Sequence, residues 1–350
     1  MRIAVVGASG NVGTALLRRL AREGDVEVVG LCRRPPEEPR PPYDRVRWQR
    51  VDIGEPGAEK VLAQAFRGTD AVVQLAWLLQ PSHDQQALHH TNVPGSGRVF
   101  VAAADAGVPH LLYVSSVGAY SPASKSVRTG ENWPTGGVAG SHYSRDKAAV
   151  ERLLDRVAER HPELTITRVR PGLVMQRGAA SEVQRYFLGP FAVGPLFRWV
   201  RRGRLPVVPL PRRFTLQFVH ADDLADAMVR MLRRRAGGAF NIAAEPPLEP
   251  ADLARLLNAR YVPVPETVMR VAASAGWRLR LQPTSPDWVD LAVSAPVMST
   301  ERARRELDWR PEHTAWQAVL EMVEGLAEGE GMPSPVLRPR GAESGRVPRP

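Results

Sequence analysis

The chain has 350 residues, of which 43% are hydrophobic and 24% charged, values typical of a folded globular protein with a sizeable core. Its net charge is +10, but the basic residues are almost all arginines scattered along the chain. They form no basic stripe interleaved with aromatic residues, so we expect no nucleic-acid partner. The single cysteine, Cys32, excludes an internal disulfide and favours a reducing compartment. We see no secretory signal and no apolar run of roughly 18 residues, and therefore predict a cytoplasmic protein without a membrane partner.

Short apolar segments alternate with helical patterns through the first half of the chain. A strand at residues 2–6, a helix at 11–23 and a strand at 26–31 have the spacing of a βαβ unit. Further strands are predicted at 46–51, 70–76, 110–115 and 164–170, and further helices at 58–67, 92–106 and 143–160. This alternation predicts a parallel sheet covered by helices on both faces.

The pattern weakens after residue 172, where glycine, proline and arginine become frequent. We predict an α/β protein with a Rossmann-type doubly wound parallel sheet formed by residues 1–172, to which 219–245 return. A smaller C-terminal substrate-binding region is expected from residues 173–218 and 246–328. Residues 329–350 offer little to bury and are expected to form a disordered tail.

The first strand ends at a glycine-rich loop with GxxGxxG spacing, formed by Gly7, Ala8, Ser9, Gly10, Asn11, Val12 and Gly13. Glycines at these steps permit a tight turn, let the backbone approach a pyrophosphate and let the helix pack on the strand. The N-terminus of the following helix directs free N–H groups and a positive dipole end at the phosphates. A glycine pattern alone is a weak motif, but its position between a strand and a helix predicts dinucleotide binding.

The residues after the second strand bear on the choice between NAD and NADP. An acidic side chain there would hydrogen-bond the free 2′-hydroxyl of NAD, whereas arginine suits the 2′-phosphate of NADP. The sequence has Arg33 and Arg34 and no carboxylate at this point, which favours NADP over NAD. The alternative is that both are solvated side chains of an arginine-rich protein.

Tyr143 and Lys147 are four residues apart in a predicted helix, so they lie on one face, one turn apart. A nearby ammonium lowers the pKa of a phenol from its usual value of about 10. Tyr143 can then exchange a proton with a substrate hydroxyl or carbonyl while hydride moves to or from a nicotinamide. Ser116 follows the strand at 110–115, at the sheet edge where ligands bind, and can hold the substrate oxygen. We therefore predict a catalytic group of these three residues.

These motifs resemble the NAD-dependent epimerase/dehydratase family of the extended short-chain dehydrogenase/reductase superfamily. Similar segments follow in order: YVSS at 113–116, RPG at 170–172, FVHADDLA at 218–225, FNI at 240–242 and ELDWRP at 306–311. The resemblance implies that Tyr143 and Lys147 also contact NAD(P), with Lys147 at the nicotinamide ribose. It further implies cofactor contacts at Asp52, Ile53, Leu75, Ala76, Asn92 and Pro171.

The resemblance implies an NAD(P)-dependent oxidoreductase or epimerase acting at a hydroxyl or carbonyl carbon of a small molecule, such as a sugar nucleotide or a secondary metabolite. Sugar-nucleotide 4,6-dehydratases carry an Asp-Glu pair where this chain has Val117 and Gly118, which disfavours dehydration. The alternative is a dinucleotide-binding sensor or scaffold without turnover, a class that commonly loses the Tyr or the Lys. We expect no metal, because His83, His89 and His90 lack ligand spacing. The substrate and the oligomeric state stay open, a homodimer included.

Overall fold

The computed structural model describes residues 1–38, 40–80, 82–189, 194–199, 202–203 and 205–339. The strands are β1 (Arg2–Val6), β2 (Glu27–Cys32), β3 (Val46–Arg50), β4 (Ala71–Gln74), β5 (His110–Val114), β6 (Arg128–Thr129), β7 (Thr165–Pro171), β8 (Leu173–Met175), β9 (Val207–Leu210), β10 (Phe218–His220), β11 (Gly238–Ile242), β12 (Arg260–Pro263) and β13 (Val297–Met298). The helices are α1 (Asn11–Leu20), α2 (Ala58–Phe66), α3 (Gln85–Asp105), α4 (His142–Arg160), α5 (Ala180–Val183), α6 (Gly194–Trp199), α7 (Ala221–Arg234), α8 (Pro250–Leu256), α9 (Glu266–Arg278), α10 (Asp287–Ser294), α11 (Glu301–Leu307) and α12 (Ala315–Glu328).

Seven parallel strands form the central sheet in the order β11-β7-β5-β4-β1-β2-β3. The chain runs outward from β1 to β3 and then returns to the other side of β1 with β4. In this register Val6 lies beside both Leu31 and Gln74, so the carboxyl ends of β1 and β4 are neighbours. Doubly wound sheets bind ligands in the crevice where the strand order reverses in this way. The prediction of a Rossmann-type parallel sheet is confirmed.

Alternate residues of β1 supply the two apolar layers of the protein. Ile3 and Val5 pack in the layer that contains the buried residues of α1 and α7, whereas Ala4 and Val6 pack with those of α2, α3 and α4. A strand buried on both faces needs apolar side chains at every position, because successive residues point to opposite sides. The continuous apolar run at the start of the sequence has this physical origin.

Three further pairs of parallel strands, β8 with β10, β9 with β12 and β6 with β13, lie outside the central sheet. They involve segments in which the sequence shows no clear period. The helix predicted at 92–106 begins earlier, at Gln85, because Asp84 caps it by accepting a hydrogen bond from the amide of Ala87. It also continues through Pro94. None of the helices in the described part of the chain is long and apolar enough to cross a membrane.

The prediction of a disordered tail from residue 329 is wrong for residues 329–339. Leu337 is fully buried and packs in one cluster with Ala180 and Met322. Ser334 is also fully buried, and its hydroxyl donates a hydrogen bond to the carbonyl of Ser9, 2.5 Å away. Leu337 and Ser334 thus make contacts that the Pro/Gly/Arg-rich composition of the segment does not predict. The rest of the predicted tail, residues 340–350, lies outside the described residues.

A buried ion pair joins helix α4 to strand β7. The guanidinium of Arg170 donates to both carboxylate oxygens of Glu151, at 2.9 and 3.0 Å, and to the hydroxyl of Tyr120 at 2.9 Å. Burial opposes ionisation of Glu151, but the hydrogen bonds from Arg170 hold the pKa of its carboxyl below the usual value. A buried charge is tolerated only while its partner is present.

We predict that Glu151→Ala lowers the free energy of unfolding by about 3–5 kcal/mol, because Arg170 then stays buried without a counter-charge. Urea denaturation at pH 7 measures the change. Glu163→Ala is the matched control, since that carboxylate is exposed, and its effect should stay within about 0.5 kcal/mol. A loss below about 1 kcal/mol in Glu151→Ala would show that the ion pair does not hold the two elements together.

Candidate active site

The glycine loop passes so close to neighbouring backbone that side chains do not fit. Gly7 has a φ of +87°, and a Cβ at this position would lie 2.6 Å from the amide nitrogen of Ala76. A Cβ on Gly13 would lie 2.5 Å from the carbonyl oxygens of Gly7 and Ala8. The loop therefore requires glycine at both positions, and it brings the end of β1 against the residues that follow β4.

Helix α1 begins at this loop without a side-chain cap. Gly10 is the residue before the helix, and the first turn contains no acidic side chain. The N–H groups of a first helical turn have no acceptor within the helix, and the dipole makes this end positive. Such an end binds anions, so the donors at Asn11, Val12 and Gly13 fit the pyrophosphate of a dinucleotide.

The residues predicted for the adenosine half lie near the ends of β2 and β3. Arg33 and Arg34 are exposed, and the Nε of Arg33 is 4.0 Å from a carboxylate oxygen of Asp52. The other oxygen of Asp52 accepts a hydrogen bond from the amide of Gly54 at 3.0 Å. Ile53 is buried. The structure thus brings Arg33 and Asp52 together.

The residues predicted after β4 have different surroundings. Leu75 donates its amide to the carbonyl of Val6, and Ala76 lies against Gly7, so both border the crevice. Asn92 is buried and holds the main chain of Leu78: its amide group donates to the carbonyl at 2.9 Å, and its oxygen accepts from the N–H at 2.7 Å. Asn92 therefore positions the segment beyond Ala76. The remaining predicted contact, Pro171, is buried at the end of β7.

The predicted catalytic residues come together at the carboxyl ends of the central strands. Tyr143, in the first turn of α4, lies beside Ser116: a Cβ on Gly118 would be 3.0 Å from the Cε1 of Tyr143 and 3.4 Å from the Oγ of Ser116. Ser116 follows β5 and also accepts from the amide of Gly118 at 3.0 Å. The Nζ of Lys147 lies 3.0 Å from the carbonyl oxygen of Val114. It also lies 3.6 Å from the centre of the Trp77 ring, a distance typical of a cation–π contact.

Burial shifts the pKa values of Tyr143 and Lys147 in opposite directions. It raises the pKa of Tyr143 to about 12, against a lowering effect of the neighbouring Ser116 side chain. It lowers the pKa of Lys147 to about 7, although the charge of Glu151 opposes this shift. The sequence predicts a phenol made acidic by its lysine. The structure differs, because burial is the largest influence on the pKa of Tyr143 and raises it, while the Nζ of Lys147 lies 5.9 Å from the centre of the Tyr143 ring and bonds to the carbonyl of Val114.

Aromatic side chains enclose the phenol of Tyr143. The Trp77 ring meets it edge-on with centres 5.8 Å apart, and the Trp288 ring lies 5.0 Å away. Phe187 packs edge-on against Trp288 at 5.1 Å. Phe187 and Trp288 belong to no motif of the sequence, since both come from segments without a recognisable pattern. Together these rings make the surroundings of the hydroxyl apolar.

A hydrogen-bonded clip holds Trp288 in this position. One carboxylate oxygen of Asp287 accepts from the backbone amide of His142 at 3.0 Å and lies 2.6 Å from the Nδ1 of its ring. His142 immediately precedes Tyr143, and Asp287 immediately precedes Trp288. The clip therefore fixes the start of α10 against the start of α4, next to the phenol.

Among the described residues, one group has the composition of a metal site: His220, His313 and Glu321, whose ligand atoms lie within 4.8 Å of one another. The Nδ1 of His220 accepts a hydrogen bond from the amide of Asp222 at 3.2 Å. In a neutral histidine the proton is then on Nε2, which faces Glu321 at 3.2 Å. A protonated nitrogen has no lone pair for a metal, so the contact is an ordinary polar one.

The model of the NAD dependent epimerase/dehydratase family matches residues 3–243. The chain belongs to this family. It is 25% identical to the uncharacterized protein y4nG of Sinorhizobium fredii, over 91% of this chain and 76% of that protein. It is 24% identical to the 4-hydroxy-2-methyl-3-oxo-4-farnesyl-3,4-dihydroquinoline-1-oxide ketoreductase of Stigmatella aurantiaca, over 95% of this chain and 98% of that protein.

The same fold occurs in a UDP-glucose 4-epimerase of Thermotoga maritima solved with UDP-glucose. The TM-score is 0.69 and the identity 18%, over 94% of this chain and 99% of that one. A mycobacterial family relative, the uncharacterized protein Rv2047c, is 28% identical, but this chain spans only 29% of its length.

We predict that Gly13→Ala weakens NADH and NADPH binding at least about tenfold, because the new Cβ has to displace two carbonyl groups at the predicted phosphate-binding end of α1. Titration of intrinsic fluorescence measures the dissociation constants. Gly24→Ala is the control, since a Cβ there meets no atom within 4 Å, and it should bind as the parent does. Parental affinity in Gly13→Ala would contradict the assignment of this loop to the dinucleotide.

Proposed function

We propose that the chain catalyses hydride transfer between a nicotinamide cofactor and a hydroxyl or carbonyl carbon of a small molecule, with Tyr143 as the proton donor and acceptor. The observation that carries the proposal is that the ring of Tyr143 and the hydroxyl of Ser116 lie side by side at Gly118, with Lys147 one helical turn away. Trp77 contacts the ring of Tyr143 and the ammonium of Lys147. It follows directly after Ala76, which lies against the glycine loop. This continuity supports one site for the cofactor and the phenol.

In the reductive direction, the bound nicotinamide supplies the hydride. Ser116 and Tyr143 hold the substrate carbonyl oxygen by their hydroxyl groups, and Tyr143 donates its proton as negative charge develops there. With its pKa raised to about 12, the phenol stays protonated at neutral pH and is ready to donate. The ammonium of Lys147 stabilises the phenolate that proton transfer leaves behind.

We further propose that NADP is preferred over NAD. Arg33 and Arg34 follow β2 on the adenosine side, and their exposed guanidinium groups suit the 2′-phosphate of NADP. Asp52, the nearby carboxylate, is already engaged with the amide of Gly54.

Ketone reduction is the form of this chemistry that we favour. The Stigmatella relative is named as a ketoreductase and is similar over nearly its whole length. Val117 and Gly118 stand where 4,6-dehydratases carry an Asp-Glu pair, and the rings of Trp77 and Trp288 favour a substrate with an apolar ring beside its carbonyl. The alternative function is that of a dinucleotide-binding sensor without turnover.

We predict that Tyr143→Phe lowers kcat for ketone reduction by about 10²–10⁴, because the proton donor is lost. NADPH oxidation is followed at 340 nm over a panel of cyclic, aryl and nucleotide-sugar ketones, and cofactor affinity should change less than about twofold.

Tyr261→Phe is the control for the preceding experiment. Its hydroxyl has no hydrogen-bond partner, and its strand β12 pairs with β9 outside the central sheet, so its rate should equal that of the parent. Full activity in Tyr143→Phe would refute the catalytic assignment. Cofactor binding without turnover of any ketone by the parent would support the sensor instead.

We predict that kcat/KM for reduction falls as the pH rises above about 7. Lys147, with its pKa lowered to about 7, then loses the charge that stabilises the phenolate. In Lys147→Met the residual activity should be lower and show no transition near pH 7. Rates from pH 5.5 to 9 measure both profiles. A transition that persists near pH 7 in the variant belongs to another group and contradicts the role of Lys147.

A further inference from the structure

The C-terminal residues 330–339, hereafter the strap, touch the glycine loop. The buried hydroxyl of Ser334 donates to the carbonyl of Ser9, one of the residues between Gly7 and Gly10. The Ser334 side chain also acts on the phenol of Tyr43, whose pKa it lowers, and the Tyr43 hydroxyl lies 3.0 Å from the hydroxyl of Thr14 in α1. One serine of the strap is therefore linked both to the loop and to the helix whose N-terminus is the predicted phosphate site.

The far end of the strap reaches the adenosine side of the crevice. The guanidinium of Arg338 lies 3.5 Å from the carboxylate of Glu37, in the segment that follows Arg33 and Arg34. From the other side, Arg185 donates to the backbone carbonyls of Arg338, at 2.8 Å, and Val336. The strap thus bridges the segment after β2 and the helical turn at Gln184–Leu188.

The strap is also held by packing contacts that do not involve the glycine loop. Leu337 is fully buried in one cluster with Ala180 of α5 and Met322 of α12. The hydroxyl of Ser181 donates to the carbonyl of Glu330 at 2.7 Å. These contacts hold the strap whether or not Ser334 reaches Ser9, so the two sets of contacts can be separated by mutation.

The strap lies beyond the part of the chain that matches the family model, which ends at residue 243. Its contacts with the loop are therefore an addition of the C-terminal part of this chain to the matched domain. A buried hydroxyl that donates to a loop carbonyl restricts the positions the loop can take. Restricting a binding loop to its bound arrangement strengthens binding, because less freedom is lost when the ligand enters.

We propose that the strap is part of the dinucleotide site. Through Ser334 it keeps the glycine loop in its phosphate-binding arrangement, and through Arg338 it closes the adenosine side, so that dinucleotide leaves only when the strap loosens. Ser334 is a positioning residue and takes no part in hydride transfer. The inference rests on the proposed function, because it requires that the loop bind a dinucleotide.

The test is the dissociation rate of NADPH from the full-length chain, measured by stopped-flow displacement with excess NADP. Ser334→Ala removes the contact with the loop and should speed dissociation roughly three- to tenfold, with a matching rise in the dissociation constant. Leu337→Ala loosens the strap at its packed end, away from the loop, and should change both quantities in the same direction.

Two controls separate this effect from a general loss of stability. Ser126→Ala removes an exposed hydroxyl and should release NADPH at the parental rate. Leu256→Ala opens a cavity in a different cluster, and should lower Tm without changing the dissociation rate. Circular dichroism verifies that each variant is folded at the assay temperature.

The outcomes distinguish the inference from the function on which it rests. If Ser334→Ala and Leu337→Ala both release NADPH at the parental rate while the parent binds it tightly, the proposed role of the strap is wrong. The proposed function then stands. The same acceleration in Leu256→Ala would also overturn the role of the strap, because the effect would then follow stability. Failure of the parent chain to bind any dinucleotide would refute both.

Discussion

The close approach between the glycine loop and the segment after β4 is the constraint on which the rest of the site depends. Gly7 lies so near the amide of Ala76 that no side chain fits between them. The next residue, Trp77, covers the ammonium of Lys147 and meets the ring of Tyr143. The contact that shapes the predicted phosphate-binding loop is therefore connected, through two consecutive residues, to the proposed proton donor. The reversal of strand order between β1 and β4 makes this connection possible.

Desolvation raises the pKa of Tyr143 and lowers that of Lys147. A buried phenol resists losing its proton, and a buried amine resists gaining one, so the same environment favours the neutral form of both. Tyr143 consequently retains its proton over the whole neutral range, whereas Lys147 changes its charge within that range. In the proposed reaction Tyr143 donates the proton, and the charge of Lys147 determines the pH range in which this donation is fast.

The sheet and the tyrosine–lysine pair could be predicted because both are local patterns. Apolar runs of five or six residues separated by helical periods specify the parallel strands, and a four-residue spacing specifies one face of a helix. The same holds for Gly7 and Gly13, whose positions follow from the strand and helix on either side.

The aromatic enclosure and the strap could not be predicted, because their contacts join distant parts of the chain. His142 and Asp287 are 145 positions apart, and Ser334 and Ser9 are 325 apart. Neither pair lies in a periodic segment. The Pro/Gly/Arg-rich composition after residue 329 predicts disorder, yet residues 329–339 are anchored by the buried side chains of Leu337 and Ser334 and by hydrogen bonds from Ser181 and Arg185. Composition averages over a segment, whereas burial depends on single side chains.

Helix α4 presents a phenol, an amine and a carboxylate on consecutive turns of one face: Tyr143, Lys147 and Glu151. The carboxylate belongs to the ion pair with Arg170, but its field also favours the charged form of the amine. An engineer who replaced the ion pair by well-packed apolar residues, a common route to a more heat-resistant protein, would thereby weaken that field. The amine would then be neutral at a lower pH, so thermal resistance and the working pH range cannot be tuned separately in this protein.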